Sequence, residues 1–98
     1  MTEIPRASLN NPVQGEVFPD RLLMHRVEPA KKMHRFYLMT VQRDLFGGAS
    51  LTREWGRIGS SGQVRVDRHP DEGHAVNALA DIAAKKQKRG YRFILGNM

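Results

Sequence analysis

Between residues 22 and 68 apolar and polar side chains fall into short runs of strand length broken by Pro- and Gly-containing segments, and between 75 and 83 an apolar stripe recurs at every third or fourth position. The chain therefore predicts a series of strands followed by one helix. Leu22–Val27 suits a strand, and Pro29 in the following Glu28-Pro29-Ala30-Lys31-Lys32 stops ladder pairing. A second strand is expected from about Met33 to Arg43, with Tyr37, Met39 and Val41 on one face and Phe36, Leu38 and Thr40 on the other. Both faces are apolar near its start, as in a central strand. Asp44-Leu45-Phe46-Gly47-Gly48 then reverses the chain into a third strand, Ser50 to Ile58. Gly59-Ser60-Ser61-Gly62 separates that strand from a fourth, Gln63 to Arg68, and both of its glycines can take the positive φ angles of tight hairpins.

Pro70 ends the fourth strand, and Asp71 is placed to cap a helix running to about Lys88 or Arg89. Ala75, Val76, Leu79, Ile82 and Ala83 form its apolar stripe, while Asn77, Asp81, Lys85 and Lys88 lie opposite. Gly90 is the expected left-handed stop. Tyr91 to Leu95 fits a short closing strand or a packed tail. The pattern is that of an α+β domain, an antiparallel meander of about four strands with one amphipathic helix on one face, leaving the other face free as a surface. Residues 1–20, with Pro5, Pro12 and Pro19 and no period, read as an irregular N-terminal arm before a domain spanning 21–98.

At 98 residues the chain has room for one modest core, so every function must sit on one scaffold. It has no cysteine, which excludes disulfides, thiolate zinc sites and a cysteine nucleophile. No apolar run approaches the ~18 residues of a membrane span, and the first residues do not lead into a signal-like apolar core. A cytoplasmic location and no membrane partner are expected. The net charge of +6 is unevenly spread: residues 21–98 carry fifteen bases against seven acids. A positive field on the folded part concentrates polyanions and acidic surfaces, with nucleic acid the first candidate.

The third strand holds the informative chemistry. Its period of two puts Arg53, Trp55 and Arg57 on one face, and Thr52, Glu54, Gly56 and Ile58 on the other. Arginine offers bidentate donors to phosphate, and an indole packs on a sugar or base. Gly56, lacking a side chain, allows something to approach the backbone closely. The same spacing also fits a core tryptophan covered by its two arginines. The functional reading requires the indole and both guanidiniums to reach the solvent side of the strand as one continuous patch.

Trp55-Gly56-Arg57-Ile58-Gly59 resembles the signature of the WGR domain, a DNA-sensing module of poly(ADP-ribose) polymerases that also occurs in small bacterial proteins. The resemblance extends through Phe36-Tyr37, Arg43 to Gly48, Leu51, Arg53-Glu54, Gly62-Gln63-Val64 and Lys88-Arg89-Gly90-Tyr91, and covers roughly residues 21–93. It implies a curved antiparallel sheet with a packed helix. By the same resemblance Trp55 packs on the sugar of a nucleotide at a DNA 5′ end, and Arg57 lies at a contact between DNA and neighbouring domains. These 98 residues contain no zinc-finger, helical regulatory or transferase segment for that arginine to address.

Lys85, Lys86, Lys88 and Arg89, followed by Arg92, form a second basic cluster. Cations at a helix C-terminus complement the macrodipole, and the same cluster can release counterions when a polyanion arrives. His25, His34, His69 and His74 lack ligand spacing, so no metal site is expected; His69 and His74 suit a turn and a first helical turn. No nucleophile elbow, phosphate loop or paired acids appear, so neither catalysis nor a cofactor is expected. The sequence points to a non-catalytic accessory module that binds DNA ends or breaks through Trp55, Arg57, Arg53, Gly56, Lys85, Lys88 and Arg89. The alternative is a protein-interaction module whose same face docks an acidic partner or a second copy.

Overall fold

The computed structural model describes residues 20–96, so the arm lies, apart from Asp20, outside the described residues. Five strands form one antiparallel sheet: β1 (Arg21–Glu28), β2 (Met33–Arg43), β3 (Ala49–Arg57), β4 (Gln63–His69) and β5 (Arg92–Gly96), in the order β4-β3-β2-β1-β5. The expected count of about four becomes five because the closing segment pairs with β1. The strand apolar on both faces, β2, is central. Pro29–Lys31 makes a short 3-10 turn between β1 and β2, closed by Lys32 in a left-handed conformation (φ 53°).

Cross-strand register sorts the side chains. Tyr37 lies opposite both Met24 and Trp55, Met39 opposite Leu22 and Arg53, and Val41 opposite Leu51. Tyr37, Met39 and Val41 therefore share one face with Leu22, Met24, Ala49 and Leu51, and all seven are buried. The helix α1 (Glu72–Lys88) covers that face with Ala75, Leu79 and Ala83 buried, and with Val76, Ala78 and Ile82 packed beside them. Asp71 caps its first turn, accepting the backbone N–H of His74 at 2.8 Å, and the His74 ring lies 2.8 Å from the same oxygen.

The helix end is built to return the chain to the sheet. Gly90 takes φ 97° and donates to the carbonyl of Gln87, and Tyr91 donates to that of Lys86, both at 3.0 Å. This is the paired 5→2 and 6→1 closure of a Schellman turn. It drives Tyr91 into the core, edge-on to Tyr37 with centroids 6.3 Å apart.

The two glycines of the β3–β4 hairpin work differently from each other. Gly59 has φ 89°, as the turn requires, but Gly62 does not have a positive φ. Its constraint is steric: a Cβ there would stand 2.0 Å from the Trp55 carbonyl oxygen and 3.1 Å from the Phe36 ring. Gly56 faces the same crowd, since its own Cβ would meet Gly62 Cα at 2.9 Å. The close approach expected at Gly56 is thus made by the chain itself, with Phe36 lying over both glycines on the open face.

Gly62→Ala should therefore cost about 1–3 kcal/mol or more through backbone displacement. Gly59→Ala, whose new methyl meets open space, pays only for left-handed backbone, about 1 kcal/mol. Urea denaturation of the two variants checks this; equal losses would contradict the steric account.

Candidate functional site

The helix is shorter than the strands it covers. Seventeen residues of α-helix reach about 25 Å, whereas eleven residues of β2 reach about 36 Å. One end is fixed near Arg43, whose guanidinium lies 3.7 Å from Glu72 in the first helical turn. The other stops over Tyr37, where Lys86 Nζ sits 4.4 Å from the ring centroid. The strand ends beyond, carrying Arg35, Trp55 and Arg57, are left uncovered. They form an open groove of about 320 Å³, completed by Lys31, Lys32, Met33, His34, Gly56 and Tyr91.

Trp55 lies on the helix-bearing face, half-buried, and stacks on Tyr37 with centroids 5.8 Å apart and planes 22° from parallel. It is both a flank of the core and a wall of the groove. Lys86 completes an aromatic-cationic pile, 5.4 Å from the Tyr91 centroid as well. Burial, and then the charges of Arg89, Arg53 and Arg35, hold the Lys86 ammonium below the usual lysine range.

The two arginines flanking the indole have separate fates, so the expected continuous patch does not form. Arg53 turns under the sheet's cover, with 18% of its side chain exposed. Its Nη2 meets Asp67 Oδ2 at 2.9 Å and its Nη1 donates to the Tyr37 hydroxyl at 3.3 Å. Arg65, directly opposite Arg53 on β4, donates from Nε to the other Asp67 oxygen at 2.9 Å. Asp67 thereby reconciles two like charges that would repel across the strands. Burial pushes the Asp67 carboxyl up, but the Arg65 hydrogen bond and the Arg53 charge outweigh it and hold the group below the usual carboxylate range.

Arg57 behaves oppositely. It is exposed and lies directly opposite Arg35 on β2, which in turn lies opposite Arg26 on β1. Arg26 is neutralised by Glu28, and Glu28 also meets Lys31 at 3.4 Å. Among the described residues neither Arg35 nor Arg57 has an acidic partner. Two guanidinium-bearing residues thus face each other across the ladder, next to an indole, in one groove.

Of the residues singled out in the sequence, Trp55, Arg57 and the backbone of Gly56 meet at the groove. Arg53 is beside it but internally paired. Arg89 caps the helix close enough to Lys86 to lower its basicity. Lys85 and Lys88 are exposed on the helix side away from the sheet. Arg35 and Lys86 were missed as site residues although the pattern contains them. Lys86 continues the stripe of Ala75, Leu79 and Ala83 by three more residues, and Arg35 precedes Tyr37 by two on the same strand face. Among the described residues no group of three or more His, Asp and Glu side chains is arranged to hold a metal, and no helix is long and apolar enough to cross a membrane.

The family model described as WGR domain matches residues 20–95. A protein of Sinorhizobium fredii, named "Uncharacterized protein y4dW", is 43% identical over 74 residues. That match covers 76% of this chain and 36% of the relative, so the chain spans about a third of the relative's length. No solved structure matches the chain significantly.

Because the Asp67 carboxyl titrates below its ordinary range when folded, its contribution is present above that range and is lost as pH falls through the lowered value. Asp67→Asn should destabilise the protein at neutral pH by about 1–3 kcal/mol, between the exposed and buried limits for an ion pair. The gap to wild type should close in acid. Urea unfolding at neutral and acidic pH measures it, and a gap independent of pH would contradict the pairing.

Proposed function

Given that the chain belongs to the WGR domain family, we propose that the groove between the helix end and the ends of β2 and β3 binds nucleic acid. DNA ends or breaks are its target, recognised through backbone charge and the Trp55 plate without base reading. The observation that carries this reading is the pair Arg35 and Arg57, held opposite each other beside the indole with no acidic partner among the described residues. A phosphate between two facing guanidiniums relieves their repulsion and accepts from both. The indole supplies a flat apolar surface to a terminal sugar or base, an interaction worth ~1–3 kcal/mol in stacking sites. Lys32, Lys86 and Arg89 extend the positive field around the groove without fixing register.

Titration of the single tryptophan's fluorescence with nicked, blunt-ended and closed circular DNA tests the reading. Binding should fall with salt with a log–log slope of about −2 to −3, for two or three phosphate contacts. Trp55→Ala should abolish any preference for ends. No change with any DNA or RNA at low salt would end the proposal. If instead an acidic protein binds through Arg57 while DNA does not, the groove is a protein-docking site.

Arg35→Gln offers a second test, because it separates function from stability. Removing one of two opposed cations should raise stability at low salt by about 0.2–1 kcal/mol, while weakening DNA binding and flattening its salt dependence. Loss of both stability and binding would mean that Arg35 is structural.

A further inference from the structure

The strand β4 is an edge of the sheet among the described residues, with β3 on one side and no strand on the other. It is seven residues long, free of proline and regular in register along its whole length. Its open-face side chains, Val64 and Val66, are 60% and 57% exposed. Proteins usually blunt such an edge with charge, proline, a bulge or a covering segment. Here the charges are arranged differently. The sequence Gln63-Val64-Arg65-Val66-Asp67-Arg68-His69 has Val66 at its midpoint, with Arg65 and Asp67 one residue to either side.

From this arrangement we infer that β4 pairs antiparallel with β4 of a second copy of the chain, about a two-fold axis through Val66. In that register all seven residues overlap, Val66 faces its own counterpart, and each Arg65 lies opposite the other copy's Asp67. The two adjacent symmetric registers are disfavoured: an axis at Arg65 sets arginine against arginine, and one at Asp67 sets carboxylate against carboxylate. Asp67 keeps its Arg53 contact on one oxygen and exchanges or shares its Arg65 contact on the other. The opposite edge, β5, is less suited, since its pairing with β1 is already irregular at Leu23/Met24. Both helices lie on the same side of the joined sheet, which brings the two grooves to one face, with the Trp55 backbones of the two copies roughly 25 Å apart by strand rise and spacing. The pairing stands independently of what those grooves bind.

The absence of cysteine makes the register directly testable in the full chain. In a glutathione redox buffer, Val66→Cys should form a disulfide-linked dimer, because the two side chains meet on the axis. Val64→Cys faces Arg68 of the other copy and should not. A seven-residue edge is a small interface, so wild-type protein should pass from monomer to twice the 11.1 kDa of one chain across the micromolar to millimolar range in sedimentation equilibrium. Val66→Lys, exposed and off the core, should keep the circular dichroism spectrum and remain monomeric throughout. A wild-type monomer at millimolar concentration would overturn the inference. So would cross-linking of Val64→Cys as complete as that of Val66→Cys.

Discussion

The candidate site depends on the pairing of β2 with β3 in the register that sets Tyr37 opposite Trp55 and Arg35 opposite Arg57. Register in a sheet with one buried face is strongly determined, because a slip of one residue turns every side chain to the wrong side. Met39, Val41 and Leu51 hold it by burial beneath the helix, and the Gly56–Gly62–Phe36 contact locks its far end on the opposite face. The indole inherits its place from these neighbours. It cannot retreat into the core, which Tyr37 fills, nor turn to the open face without moving the whole strand.

Electrostatics then divide the cations that share this face. Where the helix covers the sheet, Arg53 and Arg65 receive Asp67, and Arg43 receives Glu72. Where cover ends, Arg26 receives Glu28, but Arg35 and Arg57 receive no acid among the described residues. Opposed like charges on neighbouring strands cost stability. A fold that gives Arg53, Arg65, Arg43 and Arg26 an acid each, and gives the facing pair Arg35 and Arg57 none among the described residues, has retained that cost at the place an anion can reach. Lys86 adds to it, its charge disfavoured by burial and three arginines, yet kept over two aromatic rings that favour a cation.

Much of this was legible in the sequence because it rests on period and punctuation. The alternation of β2, the helix stripe, the Asp71 cap and the Gly90 stop each follow from local chemistry, and each appears where the pattern put it. The same-face grouping of Arg53, Trp55 and Arg57 also followed from period alone. What period does not contain is the neighbour across the ladder. That Arg53 would meet Asp67 and that Arg57 would meet Arg35 depends on strand order and register, which are non-local. Gly62 shows the same limit from another side. A glycine in a turn suggests positive φ, whereas its requirement comes from the Trp55 carbonyl on the adjoining strand.

The helix terminus links these observations. A helix C-terminus carries a partial negative charge from unpaired carbonyls, and here it holds Lys86 and Arg89, with Arg53 and Arg35 close enough to act on Lys86. Part of that charge is spent, because the Schellman closure engages the carbonyls of Lys86 and Gln87. The terminus therefore eases the crowding of cations without neutralising it. Had the helix run one turn further, it would have covered Trp55 and Arg35 and forced the Arg35 charge to find an internal acid, as Arg53 did. The position of Gly90, by ending the helix over Tyr37 and returning Tyr91 to the core, is what leaves the indole half-exposed and the rim arginines available to an anion.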